Sequence, residues 1–239
     1  DPLTAARIGQ RCENDYVGAP TGLLDQLTSV KGRKDHLVLI DFRSLDVRQI
    51  PFPDGAALVV VNSMIKHDLT VQYSERRRRC EEAVRWLQQT GSTVKSLRDV
   101  SSPYLRTLRG KMPFPAFKRA LHVVEENARV TDGATALRGG NICNFGQYMY
   151  ASHESSRVNF ENSCPELDQI VEIGKSLPGA YGSRLSGGGF GGITVHLVQK
   201  DAAEDYARRV RTAYENLTGQ TPETMICVPA PGADICGTA

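Results

Sequence analysis

Several features that quickly assign a protein are missing from this chain. Its six cysteines, Cys12, Cys80, Cys143, Cys164, Cys227 and Cys236, form no C-x-x-C pair and have no histidine partners at zinc spacing. That scatter argues against a disulfide frame or a metal knuckle and for reduced thiols, with the cytoplasm as the default compartment. No apolar run approaches the length of a membrane span, and no signal peptide opens the chain. Neither charge sign dominates: 29 Lys and Arg stand against 27 Asp and Glu, a net charge of +2. A global basic field for nucleic acid is therefore excluded, as is an acidic tail. Internal repeats and low-complexity tracts are also lacking. The chain has no initiator methionine. Asp1-Pro2-Leu3-Thr4 leads straight into what reads as the last turns of a helix, Ala5 to Glu13. The expectation is a fragment, a processed chain or a truncated one.

What is present is a glycine cluster. In Gly182-Ser183-Arg184-Leu185-Ser186-Gly187-Gly188-Gly189-Phe190-Gly191-Gly192, five glycines fall within the last six positions, and the apolar run Ile193 to Val198 follows. The pattern reads as strand or turn, glycine loop, then strand. Glycine permits φ > 0 and close backbone approach at an entropic cost. Successive free N–H groups in such a loop can form a concave anion site. Tight strand packing without any ligand would call for the same residues. The loop lacks the Lys-Ser/Thr ending of a P-loop and the strand-loop-helix order of a dinucleotide fingerprint.

The 239 residues, 40% hydrophobic and 23% charged, suit one large soluble domain or two modest ones. After the turn Gly18 to Gly22 comes a short helix, Leu23 to Val30, closed by Gly32. Strand-like runs follow at His36 to Phe42, Val47 to Pro51 and Ala56 to Asn62. A basic helix is expected from Tyr73 to Gln89, with Cys80, Ala83, Val84 and Leu87 facing the core. Pro103, Gly110, Pro113 and Pro115 make the middle loop-rich. Helices at Phe117 to Leu137, Cys143 to Ser155 and Pro165 to Ser176 precede the glycine loop. The third turns Leu167, Ile170, Val171 and Gly174 to one face. A helix from Ala202 to Leu217 and a strand from Glu223 to Val228 complete the chain. Strands and helices mix without regular β-α-β alternation, so the fold class is α+β.

Asp25 lies in the first turn of the Leu23 to Val30 helix. The positive end of the helix dipole there favours the ionised form, which suits a proton acceptor for a sugar hydroxyl or a cation ligand. Plain capping also places acids in first turns. Glu13 is a hard oxygen ligand of the kind Mg²⁺ takes, one or two carboxylates with phosphate oxygens and water. A solvated glutamate at a helix end would look no different. Tyr73 opens its helix beyond Asn62 to His67, a polar exit from a buried strand. Arg76-Arg77-Arg78-Arg79, with Glu75, Glu81 and Glu82 beside it, reads as a salt-bridged helix face with room for one arginine turned inward. His67, His122 and His153 read as isolated and not as ligands.

Taken in order, Glu13-Asn14-Asp15-Tyr16-Val17-Gly18, Gly22-Leu23-Leu24-Asp25-Gln26, Asp41-Phe42-Arg43-Ser44-Leu45, Arg76 to Glu81, Ser163-Cys164-Pro165-Glu166-Leu167-Asp168 and the glycine run resemble the galactokinases of the GHMP small-molecule kinase superfamily. The resemblance implies ATP-dependent phosphorylation of galactose at its anomeric hydroxyl, with Mg²⁺ and ATP. It implies Asp25 as the catalytic aspartate, which takes the proton from the anomeric hydroxyl or stabilises the resulting alkoxide, and Gly22, Asp25 and Tyr73 at the sugar. Glu13 is implied at the metal, and Gly187, Gly188, Gly189, Gly191 and Gly192 in a loop closing the site near the phosphoryl groups. Two segments of the family pattern have no counterpart: the sugar-gripping segment near the N-terminus and the Gly-Leu-Ser-Ser-type loop that wraps ATP phosphates. Residues 1–55 are therefore expected to be the remnant of an N-terminal domain and 56–239 a C-terminal one, inactive without the missing half. Lys66 and Asp68 depart from the pattern near the sugar. Related readings are an N-acetylgalactosamine, galacturonate or arabinose kinase, or a non-catalytic sugar sensor. On any of them Asp25 and the glycine hairpin are expected to meet across one crevice, with no nucleic-acid or membrane partner.

Overall fold

The chain is described from a computed structural model covering residues 1–18, 21–66 and 69–234, without the side chains of 69–71 and 73. It opens with α1 (Pro2–Arg11), capped by Asp1, whose carboxylate accepts from the Leu3 and Thr4 amides. A π-helical turn, Cys12–Val17, ends at Gly18 in the left-handed conformation. α2 (Leu24–Lys31) packs on α1 and buries Leu27. β1 (His36–Asp41) and β2 (Asp46–Pro51) form an antiparallel hairpin.

The main sheet has four antiparallel strands in the order β4 (Ala180–Ser186), β5 (Ile193–Gln199), β3 (Ala56–Asn62), β6 (Glu223–Cys227). Alternation along the strands decides what covers each face. Ala57, Val59 and Val61 of β3 and Val198 of β5 meet α7 (Pro165–Ser176) and α8 (Ala203–Thr218) through Ile170, Tyr206, Val210 and Tyr214. Ala56 and Leu197, on the opposite face, pack with Phe52 and with Met149 of α6 (Ile142–Ser155). A separate core joins α3 (Leu69–Gln89), α4 (Ser102–Thr107) and α5 (Phe114–Arg138) around Leu87, Leu105 and Phe117.

The α+β class and the helices and strands expected from the pattern are present, mostly within a few residues. The expected core positions Ala83 and Leu87 of α3 and Leu167, Ile170, Val171 and Gly174 of α7 are buried. Two readings change. α3 starts at Leu69, so Tyr73 lies inside its first turns instead of opening the helix. The loop-rich middle holds the 3₁₀ turn Leu97–Asp99, with a Ser96–Asp99 capping box, and α4, capped by Ser101. Their caps satisfy orphan amides in segments too short to show an apolar period. Among the described residues no helix is long and apolar enough to cross a membrane.

Candidate active site

The acidic end is built on α1 and α2. Glu13 accepts from Gln26 Nε2 at 2.8 Å and from Thr21 Oγ1 at 2.6 Å. Asn14 Oδ1 accepts from the Thr21 amide at 3.0 Å, and Gln10 Nε2 donates to the Thr21 carbonyl at 3.1 Å. The turn carrying Gly22 is thereby tied to α1, and Gln26 holds α2 beside it. Asp25 stands exposed in the first turn of α2, and a side chain at Gly22 would meet open space. Glu13, Gly22 and Asp25 thus share one scaffold. Each Glu13 oxygen accepts one hydrogen bond, which leaves each a further lone pair. That chemistry fits a Mg²⁺ ion taking one protein carboxylate with phosphate oxygens and water. No group of three His, Cys, Asp or Glu side chains converges among the described residues.

The glycine run is the turn of the β4–β5 hairpin. Gly187, Gly189, Gly191 and Gly192 all have positive φ, and so does Phe190, at +61°. A Cβ at Gly189 would lie 1.9 Å from the Asn162 carbonyl oxygen, so close packing explains that glycine. At Gly187 and Gly192 the added atom meets nothing within 4 Å, and the backbone conformation alone explains them. The loop is only in part a nest of free donors. The Phe190 amide donates to Asn162 O at 2.7 Å and the Gly192 amide to Ile65 O at 3.1 Å. Buried Ser63 donates its amide and its hydroxyl to the Gly192 carbonyl, each at 2.8 Å. Asn162 Nδ2 donates to Gly188 O at 3.1 Å.

Behind the hairpin, β4 is fixed by polar contacts that the motif Ser163 to Asp168 supplies. Ser163 Oγ donates to Asp168 Oδ1 at 2.5 Å, and His153 Nε2 lies 3.2 Å from the same oxygen. His153 Nδ1 accepts the Leu185 amide at 3.2 Å. Burial pushes the Asp168 carboxyl up, but the hydrogen bonds from His153 and Ser163 outweigh it and the net shift is downward. His122 bonds Ser155 at 3.1 Å, and burial pulls its pKa down to about 4. Neither histidine is isolated, as their separation in sequence suggested. His67 lies outside the described residues.

The arginine run behaves as its charge pattern predicts. Arg77 pairs with Glu81, and Arg79 with Glu75 and Glu82. Arg76 turns inward: Nε donates to Phe160 O at 2.8 Å and Nη2 to Glu161 O at 2.5 Å. Its guanidinium lies 5.1 Å from the centre of the Phe190 ring. Nothing in the local charge pattern distinguishes Arg76 from its three neighbours, because the selection depends on the remote turn at 160–162. The Tyr73 side chain lies outside the described residues. No hydrogen bond or ion pair joins the Asp25 scaffold to the hairpin among the described residues. Two pockets, of about 270 Å³ beside Phe114 and about 450 Å³ beside Cys80, contain none of the candidate residues.

Residues 134–216, which hold α6, α7, the β4–β5 glycine hairpin and most of α8, match the family model described as GHMP kinases C terminal. The chain carries that domain. Over nearly its whole length it is homologous to galactokinases. It is 42% identical to the galactokinase of Roseiflexus sp. (strain RS-1) over 228 residues, 95% of this chain and 58% of that protein. Against the Homo sapiens galactokinase the identity is 40% over 232 residues, 96% of this chain and 57% of that protein. The crystal structure of Lactococcus lactis galactokinase complexed with galactose superposes with a TM-score of 0.90 at 29% identity, covering 97% of this chain and 60% of that one. The chain therefore spans about three-fifths of the length of the relatives it matches.

Proposed function

We propose that this polypeptide serves the ATP-dependent phosphorylation of galactose at its anomeric hydroxyl, giving galactose 1-phosphate. The observation that carries this reading is the match to galactokinases along 95% of the chain, with Asp25 exposed in the first turn of α2. Asp25 takes the proton from the anomeric hydroxyl onto its carboxylate. The freed oxygen then bonds to the γ-phosphorus of ATP, and the bond from that phosphorus to the bridging oxygen breaks as ADP leaves. Phosphoryl transfer asks mainly for alignment and neutralisation of charge. Gly22 lets the sugar approach the backbone beside Asp25, and Tyr73 contacts the sugar from α3. The amides of Gly187, Gly188, Gly189 and Gly191, which donate to no backbone carbonyl among the described residues, face the phosphoryl groups. Glu13 would hold Mg²⁺, which when bound would supply further neutralising charge.

In the complete polypeptide, Asp25→Asn keeps size and polarity but removes the proton acceptor. Turnover of galactose should fall by about a hundredfold or more, with the thermal midpoint little changed. Turnover at the unsubstituted rate would refute the role. The sequence has no counterpart of the family's ATP-wrapping loop, so the 239-residue chain assayed by itself should phosphorylate no galactose. Adding a polypeptide that carries such a loop should restore activity. A panel of galactose, N-acetylgalactosamine, galacturonate and arabinose separates this reading from the related sugar kinases.

A further inference from the structure

The turn at residues 159–162 holds the glycine hairpin, and it is itself held by cations. Glu161 sits in the left-handed conformation at φ +56°, and its carboxylate pairs with Arg119 and Lys118. Arg119, 5% exposed, also donates to Asn159 O at 2.6 Å. From α3, Arg76 donates to the carbonyls of Phe160 and Glu161 and to Glu75 Oε2 at 2.7 Å. The next residue, Asn162, bonds both Phe190 N–H and Gly188 O. Arg76 therefore reaches the hairpin twice: through the 160–162 turn, and directly across the Phe190 ring.

We propose that Arg76 is a positioning residue that locks the glycine hairpin to the first turns of α3. This rests on the reading of the hairpin as part of the active site. A planar guanidinium can donate to two adjacent carbonyls while its face covers an aromatic ring, whereas a lysine ammonium cannot do both. Each of the three Arg76 nitrogens donates one hydrogen bond within the chain, which uses three of its five N–H donors to hold the turn. Phe190 needs such a clamp. It is a bulky residue at φ +61°, only 9% exposed, in a conformation that side chains rarely adopt without surrounding support. Tyr73 lies three residues before Arg76, about one helical turn. The clamp thus sets the distance between the backbone bearing that residue and the loop.

The test uses Arg76→Lys and Arg76→Met in the complete polypeptide, with Arg78→Met as a control, since Arg78 is exposed and makes no ion pair among the described residues. Amide hydrogen exchange is read at Phe190 and at Gly192, whose amide is anchored separately to Ile65 O. Phe190 exchange should quicken by roughly tenfold, the size of one lost hydrogen-bond interaction, with little change at Gly192. The KM for the sugar should rise several-fold more than kcat falls, and Arg78→Met should change neither. Unchanged Phe190 exchange in Arg76→Lys, the milder variant, would overturn the proposal even if Arg76→Met fails to fold. Faster exchange with unaltered kinetics would leave the clamp standing and count against the active-site reading of the hairpin.

Discussion

At Gly189 two restrictions coincide. Its φ of +84° is costly for any residue with a Cβ, and the Cβ itself would strike the carbonyl oxygen of Asn162. The left-handed conformation alone costs about 1–2 kcal/mol. Relieving the clash would break the Phe190 and Gly188 bonds to Asn162. Gly189→Ala should therefore lower the urea midpoint measurably, whereas Gly187→Ala should show only the conformational cost, since nothing stands within 4 Å of that position. Equal losses in the two variants would contradict this division. Spacing identified the glycine run as special but could not sort its members. One serves packing and others serve turn geometry, and that depends on Asn162, a residue 27 positions earlier. The acid types of Asp25 and Glu13 stand in the sequence, but the hydrogen bonds that Glu13 accepts from Thr21 and Gln26 do not.

At the level of elements, the backbones of α6 and β4 approach too closely for a side chain to stand between them. A Cβ at Gly146 would lie 1.9 Å from Tyr181 O, and one at Gly182 would lie 2.4 Å from the Gly146 Cα. Ordinarily alanine stabilises a helix interior over glycine by about 0.8–1.0 kcal/mol. Here the added methyl would meet backbone, which has no rotamer to escape into, and overpacking typically costs about 1–3 kcal/mol. Gly146→Ala should be net destabilising by about 1 kcal/mol or more in equilibrium unfolding, and a stabilised variant would show that the two elements can part freely. The strand β4 read only as strand or turn in sequence. Gly182 breaks its apolar alternation, and the reason is a helix that approaches too closely for any side chain.

Across the whole molecule, buried polar groups link the layers and make stability depend on pH. His196 is wholly buried, bonded to Thr194 and to Tyr206 at 2.8 Å each, and burial pulls its pKa down to about 3. His122 is lowered to about 4, chiefly by burial. Both stay neutral in the folded chain, whereas unfolded they bind protons near pH 6.5. The unfolded state thus holds more protons below that pH, and stability falls as pH drops from about 6.5 toward 4. The slope is about 1.4 kcal/mol per unit for each histidine over its window. Urea unfolding at pH 7 and pH 5 should show the loss, and His122→Gln should reduce it while leaving the part due to His196. Identical stability at both values would contradict the buried, neutral assignment.

By itself the sequence determined the α+β class, nearly all the helices and strands, the buried face of α7, the charge-paired face of α3 and the likeness to galactokinases. These follow from local period, capping and residue order, which act over a few residues. Only the tertiary structure decided which arginine turns inward, which glycine is pressed against Asn162, and that the Phe190 and Gly192 amides are bonded. Each of those depends on contacts between segments distant in the chain, and the chemistry of a side chain does not reveal which neighbour folding will bring to it.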